Sequence, residues 1–395
     1  MTDALPTDAD FDAITVEQLR RIGGAKWTRF GPDALGAFVA EMDFGAAPVI
    51  RDALLTMVQD AQFGYVPPQL VEGLSAATAD YYAEHYGWAI APAQVHSLPD
   101  VIKGLEIAIE YFSRPGSPVV LPTPAYMPFL SVPPHLKREI IQVPMIQVEG
   151  RYEFDLDGLA AAFAAGGHLM ILCNPYNPLG RVFTREELIA VSEVVDAGGG
   201  RVFSDEIHAP LVYAGATHVP YASISDVAAG HSVTAASASK AWNLAGLKCA
   251  QLILTNAPDI EHWAQIGPFP AHGASIAGVL ANIAAYRSGQ PWLDQVLSYL
   301  DGSRRLLGDL LAEHLPEVGY TPPEGTYLAW LDFRTYGLPD ELAAYFVEHA
   351  HVAMNNGLAF GPVGAGHVRF NFATARPIIE RMVTAMAEAV HGRAR

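Results

Sequence analysis

Apolar residues in this chain gather in short dense runs, and stretches of mixed polarity separate them. Pro118 to Leu121, Lys137 to Val143, His168 to Cys173, Arg201 to Ser204, Val233 to Ala236 and Cys249 to Leu254 are such runs. They are too short and too apolar for surface helices and predict buried strands. Helical patterns lie between them. Val71 to Tyr86 is one. Val101 to Phe112 is another, with Asp100 placed as its N-cap. Thr184-Arg185-Glu186-Glu187 is a capping box that opens a third, running to about Ala197, and Gly198-Gly199-Gly200 ends it. Strand–helix–strand alternation of this kind predicts an α/β fold, a mostly parallel sheet covered by helices.

The pattern changes after Ser275. Trp292 to His314 predicts a long amphipathic helix, with Leu293, Val296, Leu297, Leu300, Leu307, Leu310 and Leu311 on one face. A strand over Thr326 to Asp332 follows, then a helix, a Gly-rich loop from Asn355 to Gly366, and a strand over His367 to Phe372. A helix over Pro377 to Val390 closes the pattern. This reads as a smaller α+β domain joined to the N-terminal segment. The expected boundaries are 1–45 and 288–395 for the smaller domain and 46–287 for the larger. There is no internal repeat and no low-complexity linker.

Composition narrows the picture. The 395 residues are 51% hydrophobic and 17% charged, as in a well-packed globular protein. The net charge of −18 argues against nucleic acid or an anionic membrane as the main partner. Cys173 and Cys249 each sit in an apolar run and give neither a disulfide framework nor metal-ligand spacing. Met1 to Asp10 is polar and acidic, without a signal pattern, and no apolar run is long enough to cross a membrane. The expected setting is the cytoplasm.

The chemistry gathers around Ser237-Ala238-Ser239-Lys240, which follows a predicted strand. An unpaired ammonium at the end of a buried strand is costly, so this lysine is a poor structural choice. It is a good chemical choice where an amine must form a Schiff base. Ligands of α/β sheets bind beyond the carboxyl ends of the strands. Asn177, Asp205 and Lys240 all follow predicted strands and should converge there. A cofactor with an aldehyde, a ring nitrogen and a phosphate would use every one of them. Lys240 would take the aldehyde. Asp205 would face the ring nitrogen and keep it protonated. Asn177 would bond the ring oxygen, and Tyr126 would stack on the ring. Ser237, Ser239 and Lys248 would hold the phosphate with the helix opening at Val101 and Ile102. Arg369 would grip a substrate carboxylate as a fork. Each residue alone also admits an ordinary role: helix cap, turn asparagine, core aromatic or salt bridge.

Taken together, these residues resemble the fold type I pyridoxal-phosphate enzymes of the class I/II aminotransferase superfamily. The resemblance rests on Pro124-Ala125-Tyr126, Asn174-Pro175-Tyr176-Asn177-Pro178-Leu179-Gly180, Asp205-Glu206-Ile207-His208, Ser237-Ala238-Ser239-Lys240 and Arg369-Phe370-Asn371. It covers the chain from about Lys26 to about Val390. It implies a sheet of the seven-stranded type in the larger domain and pyridoxal 5'-phosphate as cofactor. Lys26-Trp27, Ala40-Glu41-Met42-Asp43-Phe44, Phe63-Gly64-Tyr65, Trp242-Asn243 and Gly325-Thr326-Tyr327-Leu328-Ala329-Trp330 make it similar to the bacterial cystathionine β-lyase and cysteine-S-conjugate β-lyase branch, which includes the maltose-regulon modulator.

That branch implies a homodimer whose Tyr65 reaches the partner's cofactor phosphate. It also implies His208 on the cofactor side and Asp43 on the substrate side. Leu179 stands where most of the superfamily has Thr, His208 where many aminotransferases have Tyr, and Lys248 where Arg is usual. The expected activity is β-elimination of a thiol from an amino-acid thioether, giving pyruvate and ammonia. An aminotransferase and a regulatory binding protein are the alternatives.

Overall fold

The computed structural model describes residues 5–392. Its largest sheet has seven strands. In chain order these are β1 (Val95–Leu98), β2 (Val119–Thr123), β3 (Ile140–Pro144), β4 (Leu169–Cys173), β5 (Arg201–Asp205), β6 (Ser232–Ala236) and β7 (Ala250–Ile253). Their spatial order is β1-β7-β6-β5-β4-β2-β3. β7 runs antiparallel to both of its neighbours, and the other pairs are parallel. The central strands β4, β5 and β6 are buried almost throughout, which explains their continuous apolar runs.

β1 is a strand that the apolar runs do not predict. Its sequence is Val-His-Ser-Leu, and only its two ends are buried. At the sheet edge one neighbour suffices, so two polar residues are tolerated. β3 starts three residues later than its run, because Lys137 adopts a left-handed turn at φ +58°.

Helices cover the sheet. Pro48–Gln59 (α1) and Pro68–Tyr86 (α2) pack against Ile276–Ser288, while Val101–Tyr111 (α3) lies on β6 and β7. Gly104 lets α3 approach closely: a Cβ there would stand 3.2 Å from the Ala235 Cβ. The Asp100 carboxylate accepts from the Lys103 amide and caps α3, as expected. The Thr184 capping box forms, and its helix Arg185–Ala197 (α4) has the expected extent.

A second sheet of four strands comprises β8 (Gly319–Tyr320), β9 (Leu328–Asp332), β10 (Asn355–Asn356) and β11 (His367–Asn371), in the order β8-β9-β11-β10. β10 and two 3-10 turns occupy the region read as a Gly-rich loop. Gln290–His314 (α5) buries Leu293, Val296, Leu300, Leu307 and Leu311 completely or nearly so, and Leu297 and Leu310 in part. Each fully buried leucine contributes about 2 kcal/mol of transfer free energy. α5 packs on the last helix, Arg376–Gly392 (α6). Phe11, Val16 and Leu19 from the N-terminal segment share one apolar cluster with Ile378, Met382 and Val383 of α6. Among the described residues no helix is long and apolar enough to cross a membrane.

Candidate active site

Parallel strands deliver their carboxyl ends to one edge of the sheet. β4 ends at Cys173, β5 at Asp205 and β6 at Ala236, just before the Lys240 loop. β7 runs the other way, so its start at Cys249 and Ala250 returns to the same edge. A cavity of about 210 Å³ lies there, walled by Asp100, Tyr126, Asn177, Asp205, His208 and Lys240. Ala40, Val101, Ile102, Ser239, Lys248, Cys173 and Cys249 also line it. Larger cavities, of about 440 to 630 Å³, contain none of the predicted site residues except Tyr65.

The Lys240 amine is buried and donates to the Ala40 carbonyl at 2.9 Å. Burial drives its pKa down to about 8; Arg369 pushes the same way, while Glu41 and Asp205 oppose. Burial drives the Asp205 carboxyl up to about 7, against the Ile207 amide and Lys240. The Ile207 amide bonds Oδ1 of Asp205 at 3.0 Å. The two groups thus approach the range where small changes move a proton. Burial holds the His208 imidazole far below its ordinary pKa and hence neutral. Burial also raises the pKa of the Tyr126 hydroxyl.

Arg369 is buried beside this cavity rather than in its wall. Its Nη1 donates to Asn177 Oδ1 at 3.0 Å, and its Nη2 donates to the Phe38 carbonyl and to Asn355 Oδ1, each at 2.7 Å. Burial lowers its pKa to about 10. It remains a cation at neutral pH.

The segment from Phe38 to Met42 is stitched to the body carbonyl by carbonyl. Phe38 is held by Arg369, Val39 by Asn371, and Ala40 by Lys240 and Tyr327. Glu41 is held by Asn371 and Lys26, and Met42 by Asn243. Buried carbonyls need donors, and here side chains supply them. Asn243 reaches its position from a left-handed backbone at φ +60°, which asparagine tolerates. Trp242 is fully buried and donates to the Gly289 carbonyl. Both residues are therefore scaffolding for the lysine loop.

A family model described as aminotransferase class I and II matches residues 39–385. The chain belongs to this family. It is 38% identical to a cystathionine beta-lyase of Corynebacterium glutamicum, over 92% of this chain and 96% of that protein. It is 33% identical to protein MalY of Escherichia coli, over 92% and 93%. The PLP-bound C-S lyase from Staphylococcus hominis has a similar structure, with a TM-score of 0.88 and 27% identity over 96% of this chain and 98% of that one.

Pyridoxal phosphate, the cofactor on which this family member depends, fits the donor set. Lys240 offers an amine. Asp205 has one carboxylate oxygen beyond the one bonded to Ile207. Asn177 accepts from Arg369 through Oδ1, so its amide nitrogen is left to donate. The first amides of α3, at Val101 and Ile102, have no partner inside the helix.

Besides Arg369, three predicted site residues have placements or partners that were not expected. Ser237 is not in the cavity wall: its hydroxyl donates to the Cys249 carbonyl at 2.7 Å and accepts from the Ser239 amide. It ties the loop to the start of β7. Asp43 is not in the wall either. It pairs with Lys26 at 2.9 Å and accepts from Trp27 Nε1 at 2.9 Å, with side chains of Lys26 and Asp43 only 2% and 5% exposed. A buried carboxylate needs such partners, so Asp43 anchors the stitched segment instead of facing a substrate. Lys248 is in the wall but pairs with Asp100 at 2.8 Å. The hydrogen bonds from Lys248 and the Lys103 amide outweigh burial and hold the Asp100 carboxyl below its ordinary pKa.

Tyr65 lies at the cavity of about 630 Å³ and is 93% exposed, so this chain does not bring it to its own Lys240. Sequence reasoning overlooked Tyr327 and the Ala40 carbonyl as site groups. Tyr327 figured only within a resemblance motif, and no side-chain pattern announces a carbonyl.

Proposed function

We propose that this chain is a pyridoxal-phosphate-dependent carbon–sulfur β-lyase that eliminates a thiol from cystathionine or another cysteine S-conjugate, giving pyruvate and ammonia. The observation that carries the reading is Lys240 and Asp205 facing one cavity, the amine lowered to about 8 and the carboxyl raised to about 7. The names of the relatives above support the carbon–sulfur specificity. His208, neutral and buried, stands where many aminotransferases have Tyr, which favours elimination over amino transfer.

When bound, pyridoxal phosphate supplies the electron sink for charge developing at the substrate α-carbon. Asp205 would face the ring nitrogen and, ionised beside it, keep it protonated. Asn177 would donate to the ring oxygen through its amide nitrogen, and Tyr126 would pack against the ring. Ser239, Lys248 and the Val101 and Ile102 amides hold the phosphate. Lys240 Nζ removes the α-proton and passes a proton to the departing sulfur. Arg369 orients the α-carboxylate.

We take 46–287 as the cofactor-binding domain and 1–45 with 288–395 as the smaller domain. The pairing of Leu35 and Gly36 with Val352 and Ala353, and the Asp8–Arg376 ion pair, support that division. We also propose a homodimer in which Tyr65 of the partner subunit reaches the phosphate. Phe63 and Tyr65 are 67% and 93% exposed, an aromatic surface suited to cover by a second copy. The two buried free thiols suit a reducing compartment such as the cytoplasm.

The deciding assay is pyruvate release from cystathionine and a panel of cysteine S-conjugates, with and without an added 2-oxo acid. Elimination proceeds without the acceptor. Turnover that requires it would replace this reading with amino transfer.

A further inference from the structure

Thr326 has a backbone φ of +67°. For a β-branched residue this left-handed conformation is strained. Its surroundings enforce it. The Thr326 amide donates to the Leu211 carbonyl, and the Thr326 carbonyl accepts from the Tyr213 hydroxyl at 2.6 Å. Thr326 Oγ1 accepts from the Leu328 amide at 3.1 Å. Gly325 is pressed against the same strut, since a Cβ there would stand 2.8 Å from the Leu211 oxygen. What this strained turn fixes is the direction of the next side chain, Tyr327.

Tyr327 is 1% exposed, and its hydroxyl donates to the Ala40 carbonyl at 2.8 Å. Lys240 Nζ donates to that same oxygen at 2.9 Å. Two donors from distant parts of the chain share one acceptor. The acceptor belongs to a segment whose neighbouring carbonyls are each pinned by another side chain.

We propose that Tyr327 is a positioning residue for Lys240: it holds the Ala40 carbonyl as the seat of the free amine and biases that amine toward its neutral form. This rests on the reading of Lys240 as the reactive amine. The physical argument is one of competition. The hydroxyl proton draws on the carbonyl oxygen, which then stabilises a neighbouring ammonium less well. A neutral amine needs only one N–H bond to the seat, and its lone pair stays free for a proton or a carbonyl carbon. The other groups facing Lys240 are Asp205 and Glu41, which favour its charge, and Arg369, which opposes it. His208 is neutral there. Tyr327 is thus the group that acts through the seat itself.

The test uses the full-length chain stripped of cofactor. Wild type, Tyr327→Phe and Thr326→Gly are treated with acetic anhydride across a pH series, and acetylation of Lys240 is followed by peptide mass spectrometry against surface lysines. Tyr327→Phe should move the Lys240 midpoint upward by about half a pH unit, slowing its acetylation near neutral pH about threefold. Thr326→Gly keeps the hydroxyl but frees its aim, and should move the midpoint the same way by less. An unmoved or lowered midpoint in Tyr327→Phe, with only a lower melting temperature, overturns the proposal and leaves Tyr327 a packing residue. Borohydride reduction of the wild-type protein loaded with pyridoxal phosphate separates the two failures. No adduct on Lys240 removes the functional reading on which the proposal rests. A normal adduct with an unmoved midpoint removes the proposal alone.

Discussion

The cofactor side and the substrate side of this cavity are built in opposite ways. Asp205 and Asn177 stand at or just beyond strand ends, and Lys240 follows β6 by one short loop. The sheet ladder fixes the backbone of Asp205, and turns just off strand ends carry Asn177 and Lys240, so their side chains keep functional atoms for chemistry. Asp205 is steadied by a single amide. On the substrate side, Arg369 joins partners as far as 331 positions away, and the Phe38–Met42 segment has no ladder of its own. There the side chains do the holding, and most of their hydrogen-bonding capacity is consumed by carbonyls. The difference teaches that a residue near a cavity can be a reagent on one side and a fastener on the other. Chemical type alone does not tell which.

That contrast can be broken by substitution. Lys240→Ala should have the largest effect and abolish pyruvate release, because the other lysine of the cavity wall, Lys248, is tied to Asp100; measurable turnover would refute its role. Arg369→Ala should raise KM for the amino-acid substrate by roughly 10- to 100-fold. It should also lower stability by about 3 kcal/mol, since three buried acceptors lose their donor. Steady-state kinetics and urea melts report the two effects separately. A change in KM with unaltered stability would mean that Arg369 is no fastener.

Asp43→Asn sharpens the same line. It leaves Lys26 as an unpaired buried cation and should cost about 3–5 kcal/mol, read from denaturant midpoints. KM should change little; a large rise in KM with intact stability would restore Asp43 to the substrate side. The smallest effect is one of pH. Only the neutral amine captures an aldehyde, and the Lys240 pKa is lowered to about 8. Its neutral fraction therefore grows as pH rises through about 8. Uptake of pyridoxal phosphate by the stripped protein, followed by absorbance, should accelerate over that range and level off above it. A flat profile would show that the amine is neutral throughout.

Legibility followed the same division. The strands of the large sheet were readable as apolar runs, apart from polar β1, and the caps of α3 and α4 were readable from Asp100 and Thr184. Asn177, Asp205, Lys240 and the start of α3 could be assigned to one edge because parallel strands all point the same way. That inference needs only local pattern and a rule of topology. Ser237, Asp43 and the Trp242-Asn243 pair were readable as notable but not as to purpose.

What the sequence alone determined is the chemistry on offer: an amine, a buried carboxylate and an amide at strand ends, beside a helix N-terminus. These follow from residue type and from short-range periodicity, which the backbone obeys locally. What only the tertiary structure decided is which polar atoms are already used. Ser237 is consumed by Cys249, Asp43 by Lys26 and Trp27, and the Ala40 carbonyl is shared by Tyr327 and Lys240. Such satisfaction depends on contacts between segments far apart in the chain. A buried polar group must find its partner wherever the fold brings one, and no local pattern records where that is.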